Sequence, residues 1–163
     1  MVSLEVFALL LTGSGLIASI LYYTFTLQNT NKTRQAQFLM QIYNKFDTPD
    51  KQKAFTEVWN WQWTSFEEFW EKYNINDHPE KWNYLLSLLM FYEALGTMIK
   101  TEKLPIDDVY LIIGGMSIHL WEKFIPILGE IRERMEYPRF ASETEYLYNE
   151  LVKYRDQNTE ITP

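Results

Sequence analysis

The chain opens on an unbroken apolar block and only afterwards becomes amphipathic. From Val6 to Phe25 it reads VFALLLTGSGLIASILYYTF, twenty positions without a charge. At about 1.5 Å of rise per residue this makes roughly 30 Å of helix, the thickness of a bilayer's hydrocarbon layer. A cleaved signal peptide needs a basic leader, and the only charged side chain before Lys32 is Glu5. A buried helix of a water-soluble core is disfavoured by Gly13, Ser14 and Gly15, which weaken helices in water and are ordinary in lipid. The block predicts a transmembrane helix, with residues 1–29 as an N-terminal anchor.

Past the block, residues 28–37 (QNTNKTRQAQ) are polar without Pro or Gly, and Phe38, Ile42 and Phe46 resume helical spacing, so the anchor helix is expected to continue. Thr48-Pro49 then predicts a new start, with Thr48 as cap and Pro49 in the first turn, for a helix from 49 to about 60. Trp59, Trp63, Phe66, Trp70 and Tyr73 follow at steps of 4, 3, 4 and 3, an aromatic stripe that Trp61 interrupts. The stripe reads as a core seam in preference to an interfacial belt, with a helix break near 61–64.

Three capping boxes punctuate the rest: Ser65-Phe-Glu-Glu68, Asp77-His-Pro-Glu80 and Ser142-Glu-Thr-Glu145. The second opens a helix from 79 to about 100, with Trp82, Leu85, Leu86, Leu89, Tyr92 and Ile99 on its apolar side. Pro105-Ile-Asp-Asp starts another, expected to run past Trp121 and to kink or break at Pro126, which lacks an N–H, before resuming through Arg134. The third box leads a last helix carrying Tyr146, Leu147, Leu151 and Tyr154. No segment joins β-branched enrichment to alternation and hairpin turns. The expected fold is all-α: the anchor, a cytoplasmic bundle of about five helices over residues 30–157, and a frayed tail at 158–163.

The flanks of the block give an orientation. Lys32 and Arg34 follow it and no Lys or Arg precedes it, which places the N-terminus outside and the bundle in the cytoplasm, at the plasma (inner) membrane. Tyr22 and Tyr23 suit the interface where the chain leaves the lipid. Ser14 and Ala18, like Gly15 and Ser19, lie four apart, a small-residue flank that would admit another helix, from a protein partner or a second copy.

Composition narrows the chemistry. The 163 residues carry a formal charge of −7, a balance that offers no general route onto nucleic acid. The absence of Cys excludes disulfides, Cys-ligated metals and thiol nucleophiles. His119 and Glu122 are three apart, and Glu93 on the preceding helix would face them in a hairpin. Carboxylate-bridged di-iron bundles use Glu-x-x-His twice with two further Glu, whereas His-Leu-Trp-Glu occurs here once and in reverse. No metal site, catalytic group or cofactor is therefore assigned. Glu93, within the apolar Phe91–Gly96 turn, needs a partner if buried, and Arg132 or Arg134 are the candidates for an ion pair. Gly114-Gly115 is expected to let a ring from a neighbouring helix pack against the backbone.

Tyr92-Glu93, Leu95-Gly96, Pro105-Ile-Asp-Asp, Trp121-Glu122, Pro126-Ile-Leu-x-x-Ile-Arg132 and Thr12-Gly-Ser-Gly-Leu16 resemble a prokaryotic family of membrane-anchored helical proteins of unknown function. The resemblance implies one N-terminal anchor and a cytoplasmic helical domain, and it brings no catalytic residues. The expected roles are a membrane-tethered interaction or scaffolding protein, an accessory single-pass subunit of a larger membrane complex, or a helical enzyme using Glu93, His119 and Glu122.

Overall fold

The computed structural model describes residues 3–159, and among these every regular element is helical. The chain divides into two compact units, Met1–Gln41 and Ile42–Pro163. The first unit takes in residues 30–41 beside the expected anchor of residues 1–29, and the helix that carries both runs on to Phe46. Helix α1 covers Leu4–Phe46, and none of its residues is buried. In its apolar part the small hydroxyls fold back on the helix: Thr12 Oγ1 donates to the Ala8 carbonyl at 2.8 Å, Ser19 Oγ to Gly15 at 2.8 Å and Thr24 Oγ1 to Ile20 at 2.8 Å. Ser14 Oγ bonds Leu11 one residue nearer, at 3.0 Å.

In the second unit, α2 (Pro49–Trp59) starts as its sequence demands, with Pro49 in the first turn and Thr48 Oγ1 accepting from the Lys51 N–H. Helix α3 (Phe66–Tyr73) is capped by Ser65, whose hydroxyl accepts from Glu68 N–H. The returning arm of that box reaches one residue further than the motif requires, since Glu68 Oε2 accepts from Thr64 N–H at 2.7 Å. Helix α4 (Pro79–Lys100) has the expected limits but not the expected cap: the Asp77 carboxylate accepts from Asn74 Nδ2 instead. Leu88 is buried in α4 where Leu86 was expected, with Leu86 half-buried.

The run expected as one kinked helix is segmented. Helix α5 (Ile106–Val109) passes into a π-helical turn (Tyr110–Gly114) and then into α6 (Gly115–Glu122). A 3₁₀ turn (Ile125–Ile127) holds Pro126, and α7 (Leu128–Arg134) leaves at 48°. Helix α8 (Ser142–Thr159) closes the chain, so residues 158 and 159 are helical and the remainder of the expected frayed tail lies outside the described residues. Gly114 admits a ring from its own helix, contrary to expectation. A Cβ there would lie 2.5 Å from Tyr110 Cδ2, and the Tyr110 ring sits 4.9 Å from that of Tyr154 on α8.

Aromatic rings build much of the core. Trp61, expected to stand off the stripe, is buried and stacks on Tyr73 with centroids 4.1 Å apart and planes at 10°. The chain leaves the helix at Asn60, so helical spacing does not govern which way Trp61 points. Phe69 is sealed with Tyr73, while Trp59, Trp63 and Trp70 are only half-buried. Tyr92 meets Trp121 edge-on at 5.2 Å and receives a hydrogen bond from Ser117 Oγ at 3.2 Å. Burial pushes the Tyr92 phenol up to about 12, so it remains neutral at any physiological pH.

Helices α4 and α8 approach closely where Gly96 faces Glu143. A Cβ on Gly96 would lie 2.0 Å from the Glu143 carbonyl oxygen, whereas at Gly115 it would meet nothing within 4 Å. Gly96→Ala is therefore expected to destabilise the fold by about 1–3 kcal/mol through forced separation of the helices. Gly115→Ala is expected to gain up to about 1 kcal/mol from helix propensity. Thermal unfolding of the two full-length variants in detergent checks the opposite signs.

Candidate functional site

The four polar residues expected to cluster are each engaged elsewhere. Glu93 Oε1 accepts from the Thr144 N–H at 2.6 Å, in the first turn of α8. Neither candidate arginine pairs with it: Arg132 Nε donates to the Phe140 carbonyl at 2.9 Å and its Nη2 to Glu145 Oε2 at 2.8 Å, while Arg134 Nη2 donates to Glu67 at 2.9 Å. His119 is exposed, with its ring 4.7 Å from that of Trp59. Glu122, also exposed, lies 3.7 Å from Arg155. Among the described residues no three His, Asp or Glu side chains form a group that could hold a metal ion.

Glu93 belongs to another constellation. Glu93, Gly96 and Lys100 follow at steps of three and four, so they share one face of α4. All three meet the start of α8: Glu93 accepts from Thr144 N–H, Gly96 abuts the Glu143 carbonyl, and Lys100 Nζ donates to both Glu143 carboxylate oxygens at 3.1 Å. A helix begins with backbone N–H groups that lack internal acceptors and with a positive dipole end, and a carboxylate from a neighbouring helix answers both. Glu145, free of its expected capping role, turns to Arg132.

Lys123 does the converse at the end of α2. Its ammonium donates to the carbonyls of Val58, Trp59 and Trp61 at 3.0, 2.7 and 3.2 Å, and so gathers the last carbonyls of α2 and one from the connection beyond it at the negative end of the helix dipole. Partial burial lowers its pKa from the ordinary lysine value, and the three acceptors favour its charged form. Nothing in the sequence singled it out, because a lysine next to Trp121-Glu122 reads as part of a solvated face.

Lys123 also lines a groove of about 650 Å³ with Trp61, Trp63, Thr64, Glu68 and Lys72. The groove joins a half-buried indole, whose face lies 5.5 Å from the Lys123 ammonium, to an ion pair at its rim. Hydrogen bonds from Lys72 and from the Thr64 hydroxyl and N–H hold the Glu68 carboxyl down at about 2, against an ordinary 4.5.

The small-residue flank and the flanking charges stand on α1. Ser14, Gly15, Ala18 and Ser19 are exposed there, as are Tyr22, Tyr23, Lys32 and Arg34.

An all-α chain with one long apolar N-terminal helix and no assembled His/carboxylate centre among its described residues is a helical domain class defined by packing. Residues 9–151 match the family model described as a domain of unknown function (DUF4760), and the chain belongs to that family. No curated protein and no solved structure matches it.

Two expected outcomes follow from the charged caps. Lys123→Met should cost about 2 kcal/mol, and Glu93→Ala about 1 kcal/mol with faster hydrogen exchange at the Thr144 amide, measured by unfolding and exchange mass spectrometry. Glu68 is depressed in the folded state, so its contribution is complete above about 4.5 and fades as pH falls towards about 2. A carboxyl NMR titration of Glu68 should show a midpoint near 2, moving up towards 4.5 in Lys72→Met.

Proposed function

We propose that this protein is a membrane-tethered helical interaction module, with α1 crossing the plasma (inner) membrane, its N-terminus outside and the Ile42–Pro163 unit in the cytoplasm. The observation that carries the reading is the state of α1. Its apolar block is exposed along its length, while the Thr12, Ser14, Ser19 and Thr24 hydroxyls are all satisfied by the helix itself. Hydroxyls can enter a hydrocarbon phase only when satisfied in this way, but exposed Thr33, Thr97 and Thr101 bond back identically, so the weight of the reading rests on the uncharged, uncovered block itself. In the second unit Ile112 and Met116, 36% and 47% exposed, line one groove with Tyr43 and Phe55, an apolar surface outside the core that supports an interaction role. Tethering confines such a surface to the membrane plane and raises its effective concentration towards partners held there.

A second reading, the accessory subunit, is favoured by Gly15. A Cβ there would meet nothing within 4 Å, and the Ser19 hydroxyl is turned back to the Gly15 carbonyl, so this flank is open to close approach by another helix. Gly15→Leu with Ser19→Leu should then release the chain from its complex without releasing it from the membrane. An enzyme built on Glu93, His119 and Glu122 receives no support from their separate engagements.

The absence of native Cys makes the topology directly testable. The protein should stay in the pellet after alkaline carbonate extraction. Ser3→Cys should react with a membrane-impermeant thiol reagent on intact cells, and Asn158→Cys only after permeabilisation. Carbonate release, or the reversed labelling pattern, would show the reading to be wrong.

A further inference from the structure

Two columns of side chains recur along α1 every seven residues. Thr12, Ser19, Thr26, Thr33 and Met40 make the first, and Ala8, Gly15, Tyr22, Asn29 and Ala36 the second. Together these ten positions advance by alternate steps of four and three, a period of 3.5 that runs unbroken from the apolar block through the polar stretch. All ten are exposed and none is charged, while Lys32 and Arg34 fall outside both columns. On a straight helix a seven-residue repeat drifts by about 20° per heptad, so these columns keep to one face only where helices supercoil around each other. The four hydroxyls of the first column donate to carbonyls of the second: Thr12 to Ala8, Ser19 to Gly15 and Thr26 to Tyr22 at 2.8 Å, and Thr33 to Asn29 at 2.9 Å. They ask no hydrogen bond of a partner. The polar stretch, in turn, lacks support of its own. It contains Asn29, Thr30, Asn31 and Thr33, weak helix formers, and is helical although no residue of α1 is buried. Helices in proteins draw most of their stability from a packed face.

We propose that α1 pairs with α1 of a second copy of this chain, as a parallel, in-register coiled coil along residues 8–40. This rests on the reading of α1 as a membrane span, and it names the helix that the open flank at Gly15 receives. Three features select a second copy. With both N-termini on one side of the bilayer, apolar block meets apolar block and polar stretch meets polar stretch over the full length of the seam. Asn29 then faces its own counterpart, and a side-chain amide both donates and accepts, so the pair is self-complementary only in register. Lys32, beside the seam, faces Gln37 of the other copy, and no like charges meet. With the positions that flank it, the seam counts twenty residues per copy, the size of a stable interface of about 800 Å² per partner.

Single cysteines in the otherwise Cys-free full chain test the pairing, in isolated native membranes under mild oxidation. A disulfide needs Cα atoms within about 7 Å, which seam positions meet and the opposite face does not. Asn29→Cys, Thr33→Cys and Ala36→Cys should give a band at twice the chain's mass, several-fold stronger than Gln28→Cys, Asn31→Cys and Gln35→Cys give. Bands absent or equal in both sets, from a chain that stays in the carbonate pellet, would overturn the pairing and leave the span standing. A cross-linked band of another mass would overturn the second copy as occupant. Release of the chain by carbonate would overturn the span and the pairing together.

Discussion

The fold of the second unit depends on how closely α4 approaches the first turn of α8. One face of α4 carries a carboxylate, a bare backbone and an ammonium in succession, at Glu93, Gly96 and Lys100, and each meets a different group of Glu143–Thr144. The absence of a side chain at Gly96 brings the backbones together, and that proximity lets Glu93 reach a backbone N–H. Widening the crossing would cost contact area and would also leave the beginning of α8 without its acceptor, so packing and polar satisfaction are coupled at this point.

The same physics recurs with opposite sign at the end of α2, where Lys123 gathers three carbonyls. Two partly buried charged side chains of this unit thus close helix ends, Glu93 at the start of α8 and Lys123 at the end of α2, and among the described residues no three metal-ligating carboxylates or imidazoles come together. The residues that first suggested a reaction centre are spent on architecture: Glu93 on α8, Arg132 on the turn at Phe140 and on Glu145, and His119 on a face of Trp59.

What the sequence made legible is what short-range rules govern. The apolar block of α1, the start of α2 at Thr48-Pro49, the span of α4 and the break at Pro126 depend on neighbours a few positions away, and they stand where periodicity and capping put them. The illegible parts depend on groups brought together across the chain. The Ser142 box would pair Ser142 with Glu145 locally, but the Ser142 N–H bonds the Arg139 carbonyl, and the carboxylate that meets the first turn of α8 is Glu93, 51 residues upstream of the Thr144 N–H it accepts from. Lys123 meets carbonyls 62 to 65 positions away. Trp61 was misplaced for a different reason, since a helical wheel says nothing about a residue in an extended connection. The π turn at Tyr110–Gly114 has no reliable sequence mark, and it shifts the faces of everything that follows it.

The reliance of α8 on α4 has a consequence for the order of events during synthesis. Helix α8 is made after α4, so the face of α4 that receives it has no occupant until the first turn of α8 exists. The joint between Glu93 and Thr144 therefore closes only after 51 further residues have been added, and that face of α4 waits for its partner until then.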